Sequence, residues 1–385
     1  MKESQQNQKL LNLRVLAVLP GLELFGNERD NIEVYIALRE QGAKVLIGIS
    51  KNHINSDVEK YLQKLDFETF NLPFGNQWSW MWLKQYPLSI FEKMNQLWNC
   101  SRILLQQIKT FQPTHIHLGS LMGYNYIAPA LVFNQIPLIY RMGDAPPTDS
   151  SYNLKIWHFA MKRASKVIAV SEFISQQIIA QGVSQAKITK IYNVAPSRLF
   201  PSDIKSVKRD GLVYVGRLAE NKGLCHLFQA FSKTQEQNLT IVGCSVYDAN
   251  FRNQLEDWVK FNNLQERVHF LGQVDDPTIY YAKSLIHVAP SIVQEALGMV
   301  VLEAKKVGTP SIVFPSGGLP EMIRHGIDGY ICRDKTPEAL TEAIEWMLAD
   351  RDRLSKMGEA ARHDYETRFG RERFLQEWAN SYLDN

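Results

Sequence analysis

The chain has 385 residues, 45% of them apolar and 22% charged, with 43 Lys or Arg against 40 Asp or Glu for a net charge of +3. At roughly 150 residues per domain this length calls for two domains or slightly more, and the composition excludes a disordered chain. Residues 71–200 hold twelve Lys or Arg and four Asp or Glu, a local balance of +8 that leaves −5 for the rest; either an anionic partner or a solvated face accounts for it.

In chain order the pattern is α/β. Residues 13–19 form a short apolar run, read as a buried strand, and a loop with Gly21 and Gly26 follows. Residues 27–40 have helical periodicity and stop at Gly42, and 45–49 form the next strand. Strand, glycine loop, helix and strand make a βαβ unit, which implies a parallel sheet with helices on its faces. Residues 115–118, 138–140 and 167–170 read as further strands, the last followed by a helix with Ser171 as N-cap and Glu172 in its first turn.

A polar stretch at 201–210 marks a linker, and the alternation then restarts. Strands are expected at 211–215, 239–242, 268–271, 287–289, 311–314 and 329–331, with helices at 223–232 and 250–262 and a helical tail at 337–382. This organisation predicts two doubly wound Rossmann-like domains, 1–204 and 205–364, facing each other across a cleft, with a C-terminal helix at about 365–385 packing back on the first. Ligands are expected at the carboxyl ends of the strands.

Residues 74–98 depart from the pattern with Trp78, Trp80, Trp82, Tyr86, Phe91 and Trp98, interleaved with Lys84 and Lys93. Tryptophan with lysine suits a peripheral membrane contact, and it also suits an aromatic platform for a sugar or lipid acceptor. Aromatic residues are heavily used in cores, so an amphipathic helical insert whose aromatics fill the first domain's core is the reading preferred here.

Three segments carry chemistry. At 213–223 a strand ends at Val215, Gly216 lets the chain turn sharply, and Arg217 and Lys222 precede Gly223 at a helix start. Two cations beside free helix N–H groups suit a diphosphate, although two surface cations in an ordinary loop would look the same. At 290–303 a strand enters a loop with Glu295, and a helix beginning near Gly298 carries Glu303 on its second turn. Carboxylates accept hydrogen bonds from hydroxyls and so suit a sugar and a ribose; a solvated pair is the plain alternative. At 308–321, Gly317 and Gly318 follow a further strand and allow close approach of a ligand.

These three elements, in this order and spacing, resemble the C-terminal domain of the retaining glycosyltransferases of family 4, which have the GT-B fold. The family's Glu-x7-Glu matches Glu295 and Glu303. Its Gly-Arg-Leu…Lys-Gly matches Gly216, Arg217, Leu218, Lys222 and Gly223, and its Gly-Gly-x-x-Glu matches Gly317 to Glu321. The resemblance implies that Arg217 and Lys222 bind the donor diphosphate, Glu303 the nucleotide ribose and Glu295 the transferred sugar. It also implies that the loop containing Val274 holds the base, and that the Gly298, Met299 and Val300 backbone approaches the phosphates or sugar. Pro20 to Glu28 resembles the N-terminal glycine loop, with Gly26 and Asn27 as donor-binding residues and one glycine of that loop replaced. Where many members have His-Asp, this chain has Gly143 and Asp144, so Asp144 is expected to serve catalysis without the histidine.

The expected reaction is transfer of a sugar from a nucleoside diphosphate to a carbohydrate or lipid-linked acceptor with retained anomeric configuration. No cofactor and no metal is expected: two cations serve the leaving group, and no Asp-x-Asp-like motif ends a strand. A nucleotide-sugar epimerase of the same fold, or a non-catalytic sugar-nucleotide-binding protein, are the alternatives. The first loop lacks Gly-x-Gly-x-x-Gly, which argues against a dehydrogenase, and no nucleic-acid partner is expected. Residues 1–9 lack the apolar core of a secretory signal, and no apolar run reaches the roughly 18 residues of a membrane span. The four cysteines (Cys100, Cys225, Cys244, Cys332) have neither zinc nor redox spacing. A cytoplasmic protein, working in solution or at the inner face of the membrane, is therefore expected.

Overall fold

The computed structural model describes residues 10–24, 26–51, 56–74, 89–132, 134–148, 151–196, 207–234, 237–245 and 249–383. The chain divides into two compact units, Met1–Tyr192 with Phe374–Asn385, and Asn193–Arg373. Most of the polar stretch read as a linker, and residues 75–88 of the tryptophan-rich stretch, lie outside the described residues.

The first unit is built on a sheet of seven parallel strands: β1 (Arg14–Leu19), β2 (Lys44–Ser50), β3 (Glu68–Leu72), β4 (His115–Leu118), β5 (Leu138–Met142), β6 (Lys166–Ala169) and β7 (Ile188–Lys190). The connecting helices are α1 (Gly26–Glu40), α2 (Asp57–Lys64), α3 (Ser89–Phe111), α4 (Leu121–Val132), α5 (Ser151–Arg163) and α6 (Glu172–Ala180). Ser171 caps α6 by accepting the Ile174 N–H. The order is β3-β2-β1-β4-β5-β6-β7, so the direction of winding reverses between β1 and β4.

The second unit has six parallel strands: β8 (Leu212–Val215), β9 (Leu239–Val242), β10 (Val268–Gly272), β11 (Ile286–Ala289), β12 (Ser311–Val313) and β13 (Gly329–Ile331). Their order is β10-β9-β8-β11-β12-β13, with the reversal between β8 and β11. Its helices are α7 (Leu224–Lys233), α8 (Ala249–Phe261), α9 (Thr278–Lys283), α10 (Met299–Lys306), α11 (Pro337–Leu348) and α12 (Arg351–Asp364). A π-helical turn, Tyr365–Phe369, then leads into α13 (Arg371–Leu383). The expected α/β alternation holds in both halves, and each is a doubly wound, Rossmann-like sheet.

From Phe374 onward α13 belongs to the first unit. Phe374, Trp378 and Tyr382 are each buried there. Gln41 donates to the Leu375 carbonyl at 2.6 Å and Lys166 to the Ser381 carbonyl at 2.9 Å. The Tyr382 hydroxyl meets His117 Nδ1 at 2.6 Å, and His117 Nε2 meets Asn31 Oδ1 at 3.2 Å.

Two strand histidines are fully buried and a third nearly so. Burial lowers His117 and His287 to about 3, and His115 to about 4, with Arg141 adding to the first and Lys166 to the last. Their folded values lie below the ordinary value of about 6.5, so between those limits the unfolded chain binds more protons. Stability should therefore fall as pH drops below 6.5, each histidine contributing up to about 1.4 kcal/mol per pH unit. A urea-unfolding midpoint that stays constant between pH 7 and 5 would contradict this.

Candidate active site

In the second unit the loops after β8 and β11 leave the sheet where its winding reverses, which is where open α/β sheets bind ligands. The β8 loop runs through Gly216 and Arg217 into a short 3-10 turn, Glu220–Lys222. The α-helix thus opens at Leu224, one residue later than expected, with Gly223 as its N-cap at φ +75°. A Cβ on residue 223 would lie 1.9 Å from the Pro290 carbonyl oxygen, so glycine is needed for the two loops to touch. The Asn221 carbonyl accepts the Ile292 and Val293 N–H groups at 3.0 and 3.2 Å, which stitches the loops together.

Glu295 sits at the junction. Its Oε1 accepts from Lys222 Nζ at 2.5 Å and from Ser291 Oγ at 2.6 Å. The Lys222 and Glu295 side chains are only 19% and 23% exposed, so this pair is far less screened than a surface pair. The loop after β12 closes the junction from the other side. Glu295 forms an isolated parallel bridge with Gly317, and Gly318 donates its N–H to the Glu295 carbonyl at 2.7 Å. A Cβ on residue 317 would lie 2.2 Å from that same oxygen. All three segments singled out in the sequence therefore converge on one residue, Glu295: Lys222 at its carboxylate, Gly317 and Gly318 at its backbone.

Arg217 is exposed, and its carbonyl accepts from the Tyr214 hydroxyl at 2.7 Å. Gly298 caps α10 at φ +114°, and Met299 and Val300 begin that helix, half-buried. Glu303 lies on its second turn, as expected, and its Oε2 accepts from the Tyr281 hydroxyl at 3.1 Å. Glu303 also lines a small pocket with Ala195, Pro196, Thr278 and Lys306. Val274, just past β10, packs partly buried against the cluster that includes Tyr281 and Ala304. Ser291 and Tyr281, which hold the two glutamates, were not singled out from the sequence. Tyr281 is 22 residues from Glu303, a separation that reports no contact; Ser291 is only four residues from Glu295, but on a loop that spacing does not by itself bring two side chains together.

The first unit's candidates lie beyond β1, β4 and β5. Gly26 opens α1 and is exposed. Asn27 donates through Nδ2 to the Gly119 carbonyl at 3.2 Å, while its Oδ1 accepts from Arg141 Nη1 at 3.0 Å. Arg141 is fully buried and also pairs with Asp30 at 3.2 Å. Asp144 is exposed at the end of this loop. Burial raises the Glu28 carboxyl above the usual carboxylate range, and nearby Asp144 adds to the rise. A Cβ on residue 143 would lie 2.4 Å from Asn27 Oδ1 and 2.9 Å from Arg141 Nη1. The space a histidine would need is thus taken by the Asn27–Arg141 contact. Among the described residues, no group of three or more His, Cys, Asp or Glu is arranged to hold a metal ion.

Residues 199–364 match the family model described as Glycosyl transferases group 1, and residues 73–196 match Glycosyltransferase Family 4. The chain is 25% identical over 326 residues to the N-acetyl-alpha-D-glucosaminyl L-malate synthase of Bacillus anthracis, covering 80% of this chain and 82% of that protein. It is 25% identical over 362 residues to an uncharacterized glycosyltransferase of Haemophilus influenzae, covering 92% and 95%. Among solved structures, Anabaena HepE in complex with UDP-glucose superposes with a TM-score of 0.79 at 21% identity, over 97% of this chain and 100% of that one. A glycosyltransferase from Rickettsia africae superposes with a TM-score of 0.79 at 23% identity, over 97% and 99%.

Proposed function

The chain belongs to the group 1, family 4 glycosyltransferases of GT-B fold, and from that premise we propose that it transfers a sugar from a nucleoside diphosphate to an acceptor hydroxyl, retaining the anomeric configuration without a metal ion. The observation that carries this reading is the junction of Lys222, Glu295 and Ser291 at the winding reversal of the second sheet. It joins a cation for a diphosphate to a carboxylate for sugar hydroxyls within one hydrogen-bonded unit.

In this reading the bond from the sugar's anomeric carbon to the diphosphate oxygen breaks as the acceptor oxygen bonds to the same carbon. The acceptor's proton passes to the departing diphosphate, on the same face. Arg217 and Lys222 stabilise the charge that builds up there, an electrostatic task that preorganised cations perform without reorganisation. In the free protein Glu295 neutralises Lys222; bound diphosphate takes a share of that ammonium and leaves Glu295, still held by Ser291, for the sugar. Tyr281 orients Glu303 toward the ribose, and the backbone from Gly298 to Val300 lies along the phosphates. Gly26 and Asn27 are assigned to donor binding and Asp144 to catalysis.

HepE has been solved with UDP and with UDP-glucose, so uracil is the first base to test. In a thermal-shift panel of UDP-, GDP- and ADP-sugars, one base series is expected to stabilise the protein above the others. A ligand at a hundredfold its Kd adds about 2.7 kcal/mol. A panel with no stabilising member would remove the donor-site reading.

A further inference from the structure

We propose that the exposed face of α3 docks on an anionic lipid surface and holds the first unit at a membrane. Five large apolar side chains of α3 stand in solvent: Ile90 (44% exposed), Phe91 (70%), Met94 (59%), Trp98 (71%) and Leu105 (40%). No other element among the described residues has such a group; Val132 and Phe261, for instance, each stand alone on their helices. Scattered single apolar residues are ordinary on a protein surface, whereas a contiguous patch marks an interaction site.

The spacing makes this a patch. At about 100° per residue, Phe91, Met94, Trp98 and Leu105 fall within an arc of about 80°, with Ile90 at its margin. Exposed Arg102 and Lys109 fall in the same arc. Glu92, the one acidic residue of α3, lies about 100° from Phe91 and outside it. The opposite face is already used: Cys100 and Leu104 are fully buried, and buried Lys93 donates to the Tyr126 hydroxyl at 3.1 Å. The outer stripe is therefore not the helix's core face.

Its chemistry selects the occupant. Aromatic and aliphatic side chains interleaved with cations, and no acid in the arc, match an interfacial helix whose apolar groups enter the headgroup boundary while Arg and Lys meet anionic headgroups. The local balance of +8 over residues 71–200 has the same sign. No helix among the described residues is long and apolar enough to cross a membrane, so the contact lies on the surface. This inference stands apart from the donor site and survives if that reading fails.

The test is flotation of the full chain with vesicles of phosphatidylcholine alone or with a third phosphatidylglycerol, at low and high salt. Binding is expected on the anionic vesicles, with a loss at high salt. The Phe91→Ser/Trp98→Ser and Arg102→Glu/Lys109→Glu variants should each bind at least about tenfold more weakly. Unchanged melting temperatures show that the variants are folded. Absence of binding to anionic vesicles, or equal binding by folded variants, overturns the proposal. So does a dimer in light scattering that dissociates in Phe91→Ser/Trp98→Ser, because a second copy then covers the face.

Discussion

Replacing Lys222 with alanine is expected to slow sugar transfer by roughly two to three powers of ten, the scale of losing one preorganised donor to a developing charge. The lysine is held at 2.5 Å from Glu295, on a loop fixed to the next by the Asn221 carbonyl, so its ammonium is already in place. Removing it takes away a charge partner of the leaving group and leaves Glu295 bonded to Ser291. The loss should appear mainly in kcat measured with saturating donor, because the charge that Lys222 meets grows as the bond to the diphosphate breaks. Arg217→Ala should give a loss of the same order. Near-normal turnover by either variant would sink the diphosphate assignment.

The second large effect concerns stability. Lys305 is fully buried on α10, 3.1 Å from Asp328 and 2.5 Å from Asp364, both of them also buried. Arg324 reaches both carboxylates, at 2.6 and 3.2 Å, and Arg368 reaches Asp364 at 3.3 Å. Taking one partner out of a buried ionic cluster costs about 3–5 kcal/mol, because it strands the opposite charge. Lys305→Ala strands two carboxylates, while the two arginines at the rim still compensate part of their charge, so about 3 kcal/mol is expected. For a unit of this size that lowers the melting temperature by roughly 6–12 °C. The exposed pair Lys233–Glu338, with side chains 50% and 60% exposed, is the control; Lys233→Ala should change little. Equal melting temperatures for the two variants would contradict this account of the cluster.

Much of this molecule could be read in advance because strand, glycine loop and helix leave local signatures. The segments around Arg217, Glu295 and Gly317 were placed correctly after strands. Their convergence was not legible, since it depends on the β10-β9-β8-β11-β12-β13 order, and sequence reports succession rather than adjacency. Strands β3 and β7 carry weak signals: β3 (Glu-Thr-Phe-Asn-Leu) has one buried residue, and β7 is three residues long with none.

In the tryptophan-rich stretch the structure departs from the sequence-based expectation. Its aromatics were expected to fill the core. Phe74 does so, whereas Phe91 and Trp98 are exposed and Lys93 points inward. A helix packed on one side repeats apolar residues every three to four positions, and α3 does so on both sides, so periodicity alone could not say which face was buried. Gly143 was legible only as a departure from the family pattern. Its cause, the contact of Asn27 with Arg141, joins residues 114 positions apart.

The most direct test of sugar transfer is to follow a stabilising nucleotide sugar by NMR, with and without a mixture of glycan and lipid-linked acceptors. The predicted result is nucleoside diphosphate released only slowly without acceptor and rapidly with it, the new glycosidic bond keeping the donor's anomeric configuration. Conversion of the donor to an epimer in the absence of acceptor, or a product of inverted configuration, would contradict it.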